Sequence, residues 1–304
     1  DISERTDLDL DSIFSAPVDM CILSLCDSVI MANSTFSWWA AWLNKSDRIY
    51  APSRNNWFGD ILNWKNMSDF YPPDWEEVWF KRNYNQEKSS FAKTVADIFS
   101  VKEESLPELH EIYKENIKED IAINKGFPYS EYDTMFHKLF YAHLNSREGH
   151  HMQQMFDDFV KDNISPLFDA SFIYQKFPTF RIHLPNSVAV SHWHYDSDNV
   201  HLHPHWEINI QIPITDTFSS NATWVESVPG LKDYAPMEMK YGQYCIFDGN
   251  RCTHGNKANN TGYTRTSLDF RVMPISKYDP AKNNNSVATG KKFAIGEYYK
   301  LFKK

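Results

Sequence analysis

Four side chains, distant in sequence, have the types and spacing to hold a reactive metal with a co-substrate beside it. His194 and Asp196 stand two apart in the run His192-Trp193-His194-Tyr195-Asp196, and His254 follows much later. Two histidines and one carboxylate occupy one face of a ferrous ion and leave open positions for a co-substrate and oxygen. Iron bound in this way needs electrons to split oxygen, and 2-oxoglutarate supplies them by decarboxylating. Its distal carboxylate calls for a cation, and arginine binds carboxylates bidentately. Arg265 comes after His254 and two residues before Ser267, so on a strand its guanidinium and the Ser267 hydroxyl share one face. Arg271 falls on that face too and is the alternative anchor. His192 is an alternative to His194, although no acid stands two residues after it.

These residues need strands to position them. The stretch from Trp206 to Ile214 alternates: Ile208, Ile210, Ile212 and Ile214 point one way, Glu207, Asn209 and Gln211 the other. Further strands are expected over 172–177, 179–184, 188–193, 223–228, 244–247 and 264–273. Several short strands with turns between them indicate a double-stranded β-helix, or jelly-roll. Asp248-Gly249-Asn250 forms a turn that aims the following segment, with His254, inward. His201, His203 and His205 alternate, as a loop over the site or as a zinc-binding cluster. Glu207 is expected as a polar pocket wall, and Asp198 as a partner to a ligand histidine or a solvated acid.

Before the strands come amphipathic helices over 89–101, 106–123, 132–144 and 149–164, with Met152, Met155, Phe156, Phe159 and Val160 on one apolar stripe. They read as a helical buttress against one sheet. His137, His143, His150 and His151 lie there as surface or hydrogen-bonded histidines. Residues 81–90 are polar and linker-like. The segment after residue 275 reads as a loop with a solvated, lysine-rich end.

The first 83 residues have a different pattern. Val29-Ile30-Met31-Ala32 suits a buried parallel strand. Asn33-Ser34-Thr35 offers helix N-cap chemistry, a helix continues through Leu43, and Arg48-Ile49-Tyr50-Ala51-Pro52 returns as a strand. Backbone N–H groups at such a helix start suit a phosphate. The run from Ile30 to Asn44, with Asn33-Ser34-Thr35-Phe36-Ser37-Trp38-Trp39 at its centre, resembles the C-terminal end of bacterial alpha-1,2-fucosyltransferases. Ser34, Thr35 and Phe36 match positions that hold the sugar-nucleotide diphosphate in that family. Asp27 and Ser28 stand where the family has a basic residue and a histidine, and the arginine-rich donor half has no counterpart. The expectation is either a chain that starts inside a longer protein or a vestigial segment, which in both cases does not transfer fucose as given.

The later region resembles the iron(II)- and 2-oxoglutarate-dependent dioxygenases, nearest the phytanoyl-CoA-dioxygenase-like and streptomycin-biosynthesis-type branch. The match is carried by His194-Tyr195-Asp196-Ser197-Asp198, Glu207-Ile208-Asn209, Thr223-Trp224-Val225-Glu226-Ser227, Phe247-Asp248-Gly249, His254-Gly255-Asn256 and Arg265-Thr266-Ser267. The resemblance implies His194, Asp196 and His254 as metal ligands and catalytic centre. It implies Arg265 as the 2-oxoglutarate anchor, Asn209 and Ser267 as helpers, and Thr223 or Trp224 as pocket lining.

The reading is therefore an α+β chain. A Rossmann-like α/β half-domain over 1–83 precedes a dioxygenase-like domain over 84–304, with helices about 89–165 and the jelly-roll about 170–275. The expected activity is oxidation, by hydroxylation, of a small-molecule or glycan substrate with O2, iron(II) and 2-oxoglutarate. The alternatives are a glycosyltransferase fragment with an accessory, non-catalytic jelly-roll, and a jelly-roll that binds sugar or metal without catalysis.

Bulk properties narrow the classes. The chain has 304 residues and a formal net charge of −9, against the basic footprint of a nucleic-acid binder. Hydrophobic residues make up 42%, enough for packed cores. No run approaches the length of a membrane span, and no leader with a basic start and apolar middle is visible. Cys21, Cys26, Cys245 and Cys252 form no Cys-x-x-Cys pair and read as free thiols in a reducing, cytoplasmic compartment.

Overall fold

The computed structural model describes residues 80–123, 134–189, 193–227, 229–282, 284–286 and 290–304, together with 20, 23–26, 29–30, 39–41, 43–44 and 49–50. The chain divides into two compact units, Asp1–Phe80 and Lys81–Lys304.

In the first unit, β1 (Val29–Ile30) and β2 (Ile49–Tyr50) pair in parallel, Val29 opposite Ile49. Parallel neighbours need a crossover, and residues 39–41 in that interval are helical. Ala40 and Ala41 are buried there while Trp39 and Leu43 are exposed. The Asn44 amide donates to the carbonyls of Leu23 (3.0 Å) and Cys26 (2.9 Å), satisfying acceptors where an earlier helical stretch ends. The phosphate-holding positions expected at Ser34, Thr35 and Phe36 lie outside the described residues.

The second unit begins at Lys81, within β3 (Phe80–Asn83), a strand where a linker was expected. Its helices are α1 (Phe91–Ile98), α2 (Leu109–Ile112), α3 (Lys114–Ile123), α4 (Met135–Leu144) and α5 (Gly149–Phe159). The single helix expected over 106–123 is broken. Pro107 sits in a 3-10 turn, Glu103–Glu108, ahead of α2, because proline lacks the N–H that an α-helical interior needs. Thr134 caps α4 by accepting from the His137 N–H. Gly149 opens α5 where a Cβ would meet the His143 carbonyl oxygen at 2.2 Å.

The strands that follow are β4 (Phe172–Gln175), β5 (Thr179–His183), β6 (Ile208–Pro213), β7 (Trp224–Val225), β8 (Ala235–Pro236), β9 (Gln243–Phe247), β10 (His254–Gly255), β11 (Arg265–Pro274) and β12 (Tyr299–Phe302). Two sheets result. The larger has the order β12-β4-β11-β6-β9-β3, with β5 also on β11; the smaller is β10-β7-β8. Every pairing described among β4–β12 is antiparallel. The ten-residue β11 is the spine: β6 runs along one side, and β5 and then β4 along the other.

Alternation along β11 and β6 separates two environments. Leu268, Phe270 and Val272, with Ile210 and Ile212, face the helices in one apolar cluster. Phe156 meets Phe270 edge-on at 5.0 Å, and Phe140 stacks on Phe180 at 4.6 Å. Arg265, Ser267, Arg271, Asn209 and Gln211 alternate with these, and all are buried. A sheet buried on both faces, one apolar and one polar, is the foundation of the site. Residues 190–192 of the expected strand over 188–193 lie outside the described residues. At the C-terminal end Lys291, Lys292, Lys303 and Lys304 are exposed as expected, but the segment before the last two is not a loop. There β12 extends the large sheet beside β4, and Tyr298 and Tyr299 are buried with Phe293 and Met273. No described helix is long and apolar enough to cross a membrane. Cys245 and Cys252 are buried thiols.

Candidate metal centre

His194 and His254 face each other across an isolated antiparallel bridge. The His194 N–H donates to the His254 carbonyl (3.0 Å) and the His254 N–H to the His194 carbonyl (2.8 Å). Directly opposed residues send their side chains to one face, so the two rings lie 4.7 Å apart. Asp196, two residues after His194, falls on that face as well. Its Oδ1 is 3.7 Å from His194 Nε2 and 3.8 Å from His254 Nε2. Each separation is less than two metal–nitrogen bonds of about 2.1 Å laid end to end, so one ion can touch all three groups.

The remaining atoms of these ligands are engaged in ways that suit a metal. His254 Nδ1 donates to the Cys252 carbonyl at 3.1 Å, which fixes the tautomer and leaves Nε2 as the ligand atom. Asp196 Oδ2 accepts from Asn209 Nδ2 (2.7 Å) and from Arg271 Nε (3.0 Å) and Nη2 (2.9 Å). Oδ1 is thereby turned to the histidines. Asn209 and Arg271 are cross-strand partners on β6 and β11, which is why both reach one oxygen. Burial would raise the Asp196 carboxyl, but Arg271, then His203 and His254, hold it well below the usual carboxylate range. Burial lowers His254, against the pull of Asp196. An ionised acid and neutral imidazoles are the forms that bind a metal.

The turn at 248–250 also positions Asp196. The Gly249 carbonyl accepts from the Asp196 N–H (2.9 Å), and the Asn250 carbonyl from Ser197 N (3.1 Å) and Oγ (2.7 Å). A Cβ on Gly249 would lie 2.7 Å from Asn209 Nδ2. Glycine therefore lets the Asn209 amide sit against the turn.

The predicted cofactor residues come together on the polar face of β11. Arg265 is buried, donating from Nη1 to Ser267 Oγ (3.1 Å) and from Nε to the Asn221 carbonyl (3.1 Å). A small cavity is lined by His194, Asn209, Gln211, Thr223, His254 and Arg265. Ser267 reaches it through Arg265. Trp224 is not among its lining residues; Lys257 lies 3.2 Å over its ring. Asn209 Oδ1 and Gln211 Oε1 are buried here without a protein donor, as atoms that a bound group satisfies. Arg271, the alternative anchor, is instead paired with Asp196. His192 lies outside the described residues.

The histidine loop divides. His201 stacks on His194 with ring centres 4.1 Å apart and donates from Nδ1 to Asp198 Oδ1 at 2.8 Å. Asp198 thus holds His201 rather than a ligand histidine. His203 Nδ1 donates to the buried Glu207 at 2.7 Å, and Glu207 also accepts from the Tyr299 hydroxyl. His205 is exposed. Asp196, His203 and Glu207 form a second group with metal-ligand spacing. His203 and Glu207 are bonded to each other and Glu207 to Tyr299, so two of its three members are already engaged and the first group is the better metal site.

A larger cavity of about 370 Å³ adjoins the ligands His194 and Asp196, and His194, Arg181 and Arg271 border both cavities. Its wall includes His137 and Tyr141 of α4 and Lys291 and Tyr298 of the C-terminal segment. Sequence reasoning assigned none of these to a site. The aromatic pair Tyr298-Tyr299 was the available signal at the C-terminal end. His137 offered none beyond its place on a helix.

Comparison with known proteins gives two separate likenesses. Residues 3–78 match the model of glycosyl transferase family 11. The streptomycin biosynthesis protein StrG of Streptomyces griseus is 33% identical over 204 residues, 66% of this chain and 94% of that protein. The O-antigen biosynthesis glycosyltransferase WbnK of Escherichia coli is 46% identical over 41 residues, 14% of each chain. Among solved structures, a non-heme monooxygenase, ThoJ in its nickel complex, aligns with 12% identity over 63% of this chain and 71% of its own, TM-score 0.37.

Proposed function

Since the chain belongs to the family of the streptomycin biosynthesis protein StrG, we propose from its site that it is an iron(II)- and 2-oxoglutarate-dependent oxygenase hydroxylating a small molecule. The observation that carries this reading is the convergence of His194 Nε2, His254 Nε2 and Asp196 Oδ1 on one point. We read the two antiparallel sheets as a double-stranded β-helix with α1–α5 as its helical buttress. Iron with 2-oxoglutarate supplies the activation of O2 that oxidises a C–H bond.

The chain's own residues do the rest. His194, Asp196 and His254 hold the ion by one face and leave the other open. Arg271 and Asn209 keep Asp196 ionised and aimed. Arg265, steadied by Ser267 and the Asn221 carbonyl, offers a buried cation to a distal carboxylate. Gln211 and Thr223, bonded to each other at 3.0 Å, line the small cavity beside Arg265. The larger cavity, bordered by His194 and Asp196, would admit the substrate.

The test is succinate release from 2-oxoglutarate by iron-loaded protein. Wild type should release it, and Asp196→Ala and His254→Ala should not. Equal release by these variants contradicts the assignment. The family 11 segment spans residues 3–78 and the match to WbnK covers 14% of that enzyme, so no glycosyl transfer is proposed for this chain.

A further inference from the structure

We infer that His201 is a positioning residue for the metal ligand His194: tethered by Asp198, its imidazole is a plate that holds the ligand ring in plane. The inference rests on the reading of His194, Asp196 and His254 as the metal centre, and it adds a group outside that triad.

The loop after the first two ligands is built to bring His201 back to them. Ser197 is pinned to the Asn250 carbonyl through both N and Oγ, and the chain then turns on Asp198. Asp198 Oδ1 accepts three hydrogen bonds, from Val200 N (2.8 Å), His201 N (2.7 Å) and His201 Nδ1 (2.8 Å). Two of these fix the backbone and the third fixes the ring, so one acid sets both the place and the plane of the imidazole. The Leu202 N–H donates to the Asp198 carbonyl (3.0 Å) and the His203 N–H to the Asp196 carbonyl (3.0 Å). Closing the loop in so few residues puts Leu202 at φ 55°, a left-handed conformation that a glycine adopts freely and a leucine does not. Such strain persists where the surrounding bonds over-determine the geometry.

What the loop delivers is a stack of two rings. The His201 and His194 rings have centres 4.1 Å apart and planes within 26° of each other. The His254 ring is farther from His194, at 4.7 Å, and tilted by 50°. The His201 side chain is 27% exposed and the His194 side chain 10%, so His201 is the outer ring of the stack, and both line the larger cavity. A ligand keeps its productive angle when packing locks its rotamer. A flat partner in a stack opposes rotation of the ligand ring, which a flexible side chain of similar size does not.

Cobalt(II) titration of the full chain without 2-oxoglutarate, read by the visible d–d spectrum and by competition with a chelator, tests this without turnover. His201→Gln keeps a polar side chain but no ring, and should bind cobalt about 10- to 100-fold more weakly than wild type. His201→Phe keeps a ring and should lie nearer wild type than His201→Gln. Asp198→Ala should match His201→Gln, whereas Asp198→Asn, whose amide oxygen can accept the same three bonds, should stay near wild type. His205→Gln, exposed in the same loop, should change nothing. Equal affinity of wild type and His201→Gln, His201→Phe as weak as His201→Gln, or Asp198→Asn as weak as Asp198→Ala overturns the inference. Folded wild-type protein that takes up no cobalt counts instead against the metal centre itself, so the two failures are told apart.

Discussion

Asp196 shows how much of the proposed metal centre is decided by groups that do not touch the metal. Its Oδ2 takes three hydrogen bonds from Arg271 and Asn209, and its backbone N–H is anchored by Gly249. Losing such supports costs metal affinity about 10- to 100-fold. Arg271→Ala should therefore weaken iron binding by that factor, measured by competition with a chelator, while iron affinity of Arg265→Ala stays near wild type. Arg265→Ala should instead raise the 2-oxoglutarate requirement about 10- to 100-fold, the worth of a charge-assisted hydrogen bond. The opposite pattern would exchange the two arginines' roles. Gly249→Ala should also lower iron affinity, because its Cβ displaces the Asn209 amide. His194, Asp196, His254 and Arg265 were legible as types at a spacing. The split between Arg265 and Arg271 was not, because both fall on one face of β11, and only Asp196's position across the site tells them apart.

The elements turn on β11, whose alternation gives one face to the helices and the other to the chemistry. Its register with β5 places buried His183 opposite Arg265. Burial, then Arg265, lower His183 to about 4. Its unfolded value is near 6.5, so between these values the unfolded chain takes up a proton that the folded chain refuses. Stability should fall as pH drops from 6.5 towards 4, by on the order of 3 kcal/mol from this group. Urea unfolding across that range should show a shallower pH slope for His183→Asn; an identical slope would refute it. At the other end of the sheet, Tyr299→Phe leaves Glu207 one donor short and should cost about 1–3 kcal/mol of unfolding free energy. The strand over 206–214 was readable because period-two alternation is strong there. β12 was missed because its lysines mask it: Lys300 pairs with Asp157 at 2.6 Å, and its neighbour Tyr299 fills the core.

At the scale of the whole molecule, the metal ligands, both cavities and the arginines all belong to the unit Lys81–Lys304. A chain of residues 80–304 should fold in one cooperative step and bind iron and 2-oxoglutarate as the full chain does. Failure to fold, or a large loss of affinity, would assign the first unit a supporting role. The antiparallel strands could be anticipated from alternation, but the pocket walls could not. His137 on α4 and Lys291 near the C-terminal end are far apart in sequence and reach one cavity only through tertiary packing. The most direct test of the central claim is anaerobic addition of iron(II) and then 2-oxoglutarate to the full chain. The account predicts a weak visible charge-transfer band in wild type that is absent in His194→Ala and Asp196→Ala. Folded wild-type protein without the band, or the same band in those variants, would contradict it.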